Sequence, residues 1–267
     1  MTTDNLGERA LGRKLATYGG SRSFAFGGWF IAVLLAGVGG FLFWLAAQAR
    51  SGAMKFTGDL QLLYKAGGAC IGVAVVVVVL FAVLKRRGTK IDVHEDGLHA
   101  IGPRSAQLDL YRDIQDVYLA PTGLFGYRTD PSSPWLILDN RVSKMAELRR
   151  RLVEGQVAHR LGWLRSQIAQ GGTATFRYFS VSDNQHQAMW NPRKVDIPTY
   201  ELVIDAQMLS LDGKAIPLSR LSRVASSQWR DKVTFTDVDG TTFYSMPATS
   251  VLSLDLLRAL IEALQRA

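Results

Sequence analysis

Two long apolar runs, both free of charged residues, dominate the first third of the chain. They cover residues 24–47 and 66–84. Each is long enough to cross about 30 Å of hydrocarbon as a helix rising about 1.5 Å per residue. The pattern predicts two transmembrane helices joined by a short loop, residues 48–65. The alternatives fit less well, because a helix apolar on all sides needs burial on all sides, and the core of a cleaved signal peptide is shorter.

Beyond residue 90 the apolar positions alternate as in strands, and each set of strands is followed by a helical pattern. Turns at Asp96–Gly97 and Asp239–Gly240 predict hairpins, and helical spacing follows over residues 142–170 and again after Pro247. The order of strands then helix therefore occurs twice. Residues 110–117 and 217–224 also resemble each other, which indicates a duplication.

These patterns predict an α+β protein with four parts. Residues 1–23 form an N-terminal tail, and residues 24–84 form the transmembrane hairpin. Residues 85–170 form a first sheet-plus-helix domain with a long helix. Residues 171–267 form a second one, which carries a polar insertion at residues 179–199.

The net charge of +8 lies entirely at the membrane-proximal end of the chain. Residues 1–90 hold eleven Lys and Arg against three Asp and Glu, whereas residues 91–267 hold twenty of each sign. A balanced soluble region argues against nucleic acid as the partner. Basic residues flank both apolar runs, so the positive-inside rule places both termini and the C-terminal domains on the cytoplasmic side of the membrane. The predicted membrane-surface residues are Lys85, Arg86, Arg87 and Lys90.

Small residues recur at four-residue intervals in both apolar runs. In lipid, helices associate through close packing of small side chains, so these positions predict a tight hairpin or a seam for homo-oligomers. The lone cysteine, Cys70, lies in the second run and excludes a disulfide framework. The predicted helix-packing residues are Gly28, Ala32, Ala36, Gly40, Gly68 and Gly72.

Short structural motifs along nearly the whole chain match those of one group of proteins. They are Leu6-Gly7-Glu8, Val93 to Leu98, the strand starts at Ile114 and Leu221, and Ile216 to Ser219. Through these motifs the chain resembles bacterial membrane proteins of unknown function that join a two-helix anchor to tandem PH-like domains. The sequence departs from the family at the polar insertion and at Leu218. The resemblance implies two PH-like domains after the anchor and a place in the bacterial inner membrane, and it transfers no catalytic residue.

Signatures of catalysis are not evident in the sequence. It has no G-x-S-x-G, H-E-x-x-H or phosphate-binding loop motif, so we expect a non-enzymatic protein without cofactors. Its four histidines are not spaced as metal ligands, and we expect them to face solvent rather than a metal. Asp237 to Gly240 resembles the start of a calcium loop but is better explained by a hairpin turn.

Two loops hold aromatic and basic side chains that a core would not obviously claim. They cover residues 120–134 and 180–198. Aromatic and arginine anchors on loops are typical of binding surfaces, although these side chains could instead cover their own strands. The predicted partner-binding residues are Phe125, Tyr127, Met189, Trp190, Arg193 and Lys194.

The sequence thus predicts a membrane-anchored scaffold that presents a tandem module to a protein partner, with toxin neutralisation as one variant. One alternative is sensing of anionic lipid or envelope stress, in which Arg149–Arg151 also contact the membrane. Another is an accessory subunit of a membrane transporter or enzyme complex.

Overall fold

The structure is a computed structural model, and it describes residues 10–19, 22–53, 55, 57–86, 90–102, 106–119, 124–138, 142–180, 198–227 and 232–266. Four helices are described: α1 (Arg22–Arg50), α2 (Leu60–Arg86), α3 (Met145–Ala169) and α4 (Leu254–Gln265). The first seven strands are β1 (Lys14–Tyr18), β2 (Lys90–His94), β3 (Gly97–Ile101), β4 (Ala106–Leu110), β5 (Asp116–Leu119), β6 (Phe125–Arg128) and β7 (Leu136–Leu138). The next seven are β8 (Ala174–Phe179), β9 (Thr199–Ile204), β10 (Met208–Leu211), β11 (Lys214–Pro217), β12 (Leu221–Ser227), β13 (Lys232–Asp237) and β14 (Thr242–Pro247).

The same succession of elements occurs twice, which confirms the predicted order of strands followed by a helix. In unit 1 a four-stranded antiparallel sheet, β1-β2-β3-β4, is followed by the three-stranded sheet β5-β6-β7 and by α3. In unit 2 the sheets β8-β9-β10-β11 and β12-β13-β14 are followed by α4. The repeat extends to backbone detail, because the residues before α3 and α4, Lys144 and Ser253, both adopt left-handed conformations with φ of 53° and 51°.

Strand β1 lies before the apolar helices in sequence yet belongs to the sheet that follows them. It pairs with β2 in an antiparallel register that sets Tyr18 opposite Ile91. Tyr18 and the preceding Leu11 are 2% and 1% exposed. The prediction of a tail over residues 1–23 is therefore wrong for residues 14–18. The helical hairpin is an insertion between two paired strands.

Helices α1 and α2 confirm the two predicted apolar helices and extend each of them. Both are long and apolar enough to cross a membrane, and only 17% and 11% of their apolar windows is buried. Large side chains such as Trp29, Phe30 and Val76 are more than half exposed. A core helix of a water-soluble protein would bury such side chains, whereas this pair exposes a large apolar surface.

The seam between α1 and α2 differs from the predicted stripe. A strict four-residue repeat advances about 40° per step around a helix, so its members leave the contact face after two steps. Gly28 and Ala32 lie in the seam, where a Cβ on Gly28 would collide with the Phe81 ring. The seam continues through Gly39 and Gly67. The other four predicted packing residues face outward: Ala36, Gly40, Gly68 and Gly72.

Adjacent glycines on α1 offer a matched test of this seam. A Cβ on Gly39 would lie 2.8 Å from Ile71 Cγ1 and 2.9 Å from the Gly67 carbonyl oxygen, whereas Gly40 has open space. We expect Gly39→Leu to separate the helices at a cost of about 1–3 kcal/mol. Cys70, next to Gly39, reports this separation: its modification by a lipid-soluble thiol reagent should be on the order of ten-fold faster. Gly40→Leu should leave the rate unchanged, and equal rates in the two variants would contradict the seam.

Helix α3 serves both units. Leu148 and Leu152 in its first half pack in the core of unit 1, and Leu164 and Ile168 in its second half pack in the core of unit 2. The boundary predicted at residue 170 therefore separates the sheets but not the cores. Because one continuous helix contributes to both cores, the two units are held together along its length.

Candidate functional site

The predicted partner-binding residues in the first loop lie in a strand instead. Phe125 and Tyr127 belong to β6 and are 1% and 0% exposed in the core of unit 1. The Tyr127 hydroxyl donates to Asp109 Oδ2 at 2.8 Å. Gly126 between them accommodates Ile137, whose Cδ1 would be 2.6 Å from an added Cβ. The expectation that these aromatic side chains sit on a loop and face a partner is wrong, because the sheet buries them.

The remaining predicted partner-binding residues lie outside the described residues, as does Arg87: Met189, Trp190, Arg193 and Lys194. Strands β8 and β9 nevertheless fix where the polar insertion begins and ends. Lys85 and Arg86 fall in the last turn of α2, and Lys90 opens β2. In unit 1, Lys85 and Arg86 thus lie in the connection between the first and second strands. In unit 2, the polar insertion occupies the corresponding connection.

A buried ion cluster joins the two units. Asp116 of β5, 3% exposed at its side chain, accepts a 2.7 Å hydrogen bond from Arg128 Nε. Arg177 of β8 places Nη1 3.3 Å from Asp116 Oδ1. The Arg128 guanidinium also stacks 4.6 Å from the centre of the Trp135 ring. One carboxylate therefore bridges an arginine from each unit.

Neutral hydrogen bonds beside this cluster also cross between the units. Gln156 of α3 is 1% exposed and donates from Nε2 to the carbonyl oxygen of Ile114 and to Ser253 Oγ, both at 2.9 Å. Ser253 Oγ accepts from the Val117 amide at 3.0 Å, and the Ser253 amide donates to the Val117 carbonyl at 2.9 Å. Tyr118 and Phe179 add an edge-to-face contact, 5.2 Å between centroids. These contacts make the tandem units one body.

An open aromatic recess of about 600 Å³ lies in unit 2 at the base of the polar insertion. Tyr178 near the end of β8 and Tyr200 near the start of β9 are cross-strand partners with ring centroids 5.6 Å apart. Tyr244 of β14 lines the recess from the second sheet. Asp212 in the β10–β11 turn completes the rim, and the buried side chain of Met246 lies below.

The local sequence explains how this rim is built. Asp212 and Gly213 have φ of 53° and 73°, the conformation of a tight two-residue hairpin turn that favours Asp-Gly. The turn holds the Asp212 carboxylate 3.4 Å from the Tyr244 hydroxyl, which donates to it. Tyr200 is 45% exposed at the mouth, whereas Tyr178 is 5% exposed within.

The Asp212 carboxylate is the one charged side chain in the described lining of the recess. Burial, the largest cause, and the Asp212 charge, the next largest, contribute to raising the pKa of Tyr178 to about 12. Burial also raises the pKa of Tyr244, with the Asp212 charge and the hydrogen bond to Asp212 next in size. Both phenols are therefore neutral at physiological pH. Among the residues that the structure describes, no lysine or arginine forms an ion pair with Asp212.

A second recess, about 710 Å³, lies at another corner of unit 2, between the β9–β10 turn and the end of α4. Its lining has no charged side chain and includes Met208, Leu218 and Leu264. In unit 1 the corresponding corner is covered by Leu11, whose carbonyl oxygen accepts from the Asp96 amide at 3.0 Å. This recess offers apolar contact but little basis for selectivity.

The histidines are less exposed than expected. His94 and His99 are 6% and 8% exposed, and His94 Nδ1 lies 3.1 Å from the Gly12 carbonyl oxygen. His159 on α3 is exposed and pairs with Asp96 at 3.2 Å. The pairing of β1 with β2 brings Gly12 against His94, a contact that sequence spacing does not indicate. No group of three metal-ligating side chains forms within the described ranges.

Comparison with known proteins gives no assignment. The chain matches no known family profile, and no functionally characterised protein matches it significantly in sequence.

Proposed function

We propose that the chain is a two-span protein of the bacterial inner membrane that presents tandem PH-like units to a protein partner, without enzymatic activity. The observation that carries the proposal is the insertion of an unburied apolar hairpin between the paired strands β1 and β2. Paired residues lie about 5 Å apart, so both helices start from one edge of unit 1. The buried junction then holds unit 2 at a fixed place relative to the membrane.

The orientation follows from this arrangement and the charge distribution. Three residues lie between Tyr18 and Arg22, and three lie between Arg86 and Lys90, so each connection spans four residue-to-residue steps. At about 3.5 Å per residue, the first residue of α1, Arg22, and the last residue of α2, Arg86, lie within about 14 Å of the sheet. Units 1 and 2 therefore lie on the same side of the bilayer as the basic residues that flank the helices. Such residues favour the cytoplasmic side.

The polar insertion of unit 2 is the proposed partner contact, and two tryptophans test it. The full chain, cross-linked in native membranes and affinity-purified, should retain a stoichiometric protein partner, and Trp190→Ala should reduce its recovery at least about ten-fold. Trp163→Ala is the matched control, because Trp163 is 58% exposed and belongs to α3 rather than to the insertion. Equal recovery from both variants and the unmodified chain would exclude the insertion as the partner contact.

Anionic lipid sensing remains the second candidate because of one contact near the hairpin. The Ser143 amide donates to the Gly19 carbonyl oxygen at 2.7 Å, which sets the first turns of α3 beside the root of the hairpin. Arg149, Arg150 and Arg151 lie on those turns. Each basic side chain near an anionic surface contributes about 1 kcal/mol. Salt-sensitive binding to anionic vesicles by a variant that lacks α1 and α2 would favour this candidate.

The accessory-subunit candidate rests on the outward small residues. Ala36, Gly40, Gly68 and Gly72 are exposed on the hairpin and available to foreign helices. The same positions could pair two copies of the chain. Loss of a membrane complex in Gly40→Leu, with the hairpin intact, would favour this candidate.

A further inference from the structure

We infer that the aromatic recess bounded by Tyr178, Tyr200, Tyr244 and Asp212 is a binding site for a lysine or arginine side chain of an extended protein segment. This inference rests on the proposed function as a protein-binding module and names the chemistry of its partner.

Rings and charge in the recess both favour a cation. The faces of tyrosine rings attract ammonium and guanidinium groups within about 6 Å, and the attraction grows as water is excluded. Tyr178 and Tyr200 supply two rings in contact, and Tyr244 supplies a third from the opposite sheet. Asp212 adds a carboxylate that no described basic residue neutralises.

The direction of the phenol hydrogen bonds reinforces this negative character. The Tyr244 hydroxyl donates to Asp212, and its hydrogen bond with Tyr178 raises the pKa of Tyr178. The Tyr244 proton is therefore directed at the carboxylate. Among the described residues, one Asp212 oxygen takes part in this hydrogen bond, at a long distance of 3.4 Å, so the carboxylate retains capacity for a charged donor.

The outer edge of β14 favours a peptide as the source of the cation. In the described part of unit 2, β14 is the outer strand of its sheet and contributes Tyr244 to the recess. The outer edge of β8 already pairs with the chain at Val251, where the Leu252 amide donates to the Arg177 carbonyl oxygen at 2.9 Å. An extended segment can hydrogen-bond along such an edge while one side chain enters the recess. A lipid headgroup fits less well, because its amine is joined to a phosphate and the described lining includes no basic side chain.

The test uses the full chain in nanodiscs of zwitterionic lipid and a fluorescein-labelled trilysine amide, followed by fluorescence anisotropy. We expect saturable binding that weakens with added salt and is lost when the lysines are Nε-acetylated. Asp212→Asn keeps a residue that tolerates positive φ and should weaken binding about ten-fold. Tyr200→Leu should do the same, since Tyr200 is exposed enough to be replaced without loss of fold. Glu262→Gln, which removes one exposed carboxylate from α4, should leave the affinity unchanged.

Three results would overturn the inference. They are equal binding of the acetylated peptide, unchanged affinity in both Asp212→Asn and Tyr200→Leu, and displacement of the peptide by phosphocholine or phosphoethanolamine at lower concentration than by lysine amide. Failure here is separable from failure of the proposed function. If the native partner still co-purifies with Asp212→Asn but not with Trp190→Ala, the cation site is refuted and the scaffold role stands.

Discussion

A shortened chain, in which a short turn replaces the helical hairpin and connects residues 10–19 to residues 90–266, should fold and remain soluble without detergent. The turn is feasible because Tyr18 and Ile91 are opposite each other in the β1–β2 pair. Removal of α1 and α2 takes away the exposed apolar surface and leaves both cores complete. Size-exclusion chromatography and a cooperative thermal transition would measure the outcome.

Truncation to residues 91–267 should instead give an aggregating protein. It deletes β1, leaves β2 as an open edge and removes Leu11 and Tyr18 from the core. Core truncations of this size cost about 2–5 kcal/mol each, against a total stability of about 5–15 kcal/mol.

Point variants of the shortened chain provide the control. Tyr18→Ala should lose about 3–5 kcal/mol, whereas Leu15→Ala, at a side chain that is 45% exposed, should change stability by about 0.5 kcal/mol or less. A truncated chain as stable as the shortened one would refute the inserted-hairpin topology, and a shortened chain that needs detergent would refute the membrane role of the helices.

Elements with strong local patterns were predictable from the sequence. Two uncharged runs indicated α1 and α2, and Asp-Gly pairs placed the β2–β3 and β13–β14 turns. Gly240 has φ of 79°, whereas Gly97 begins β3, where an added Cβ would collide with the Asp109 carbonyl oxygen. Apolar spacing in α3 identified Leu148, Leu152, Leu164 and Ile168, all buried. In each case the periodicity arises from neighbours within the same element.

Features that depend on distant contacts were not predictable in the same way. The strand β1 reads Lys-Leu-Ala-Thr-Tyr, a weak alternation whose partner lies beyond both apolar helices. The strand β6 reads Phe-Gly-Tyr-Arg and looks like a loop, because its glycine is required by Ile137 on the neighbouring strand. The recess unites Tyr178, Asp212 and Tyr244 from three separate segments, and only the fold shows that their side chains converge.

Replacement of Asp116 by alanine should be among the most destabilising single changes outside the apolar cores. It would leave Arg128 and Arg177 with side chains only 9% and 14% exposed and without their shared carboxylate. Removal of one partner of a buried ion pair typically costs about 3–5 kcal/mol, because the remaining charge stays desolvated. In a chain of this size the expected fall in Tm is about 10 °C, measured by tryptophan fluorescence of the full chain in nanodiscs.

The matched control is Asp239→Ala. Asp239 pairs with Arg220 at 2.8 Å, but their side chains are 68% and 54% exposed, so the loss should be about 1 kcal/mol or less. Similar Tm values for the two variants would contradict the structural role of Asp116. Because Arg177 lies one residue before Tyr178, the same cluster that ties unit 2 to unit 1 also fixes the strand that lines the recess. Asp116→Ala should therefore weaken trilysine binding, although Asp116 does not line the recess.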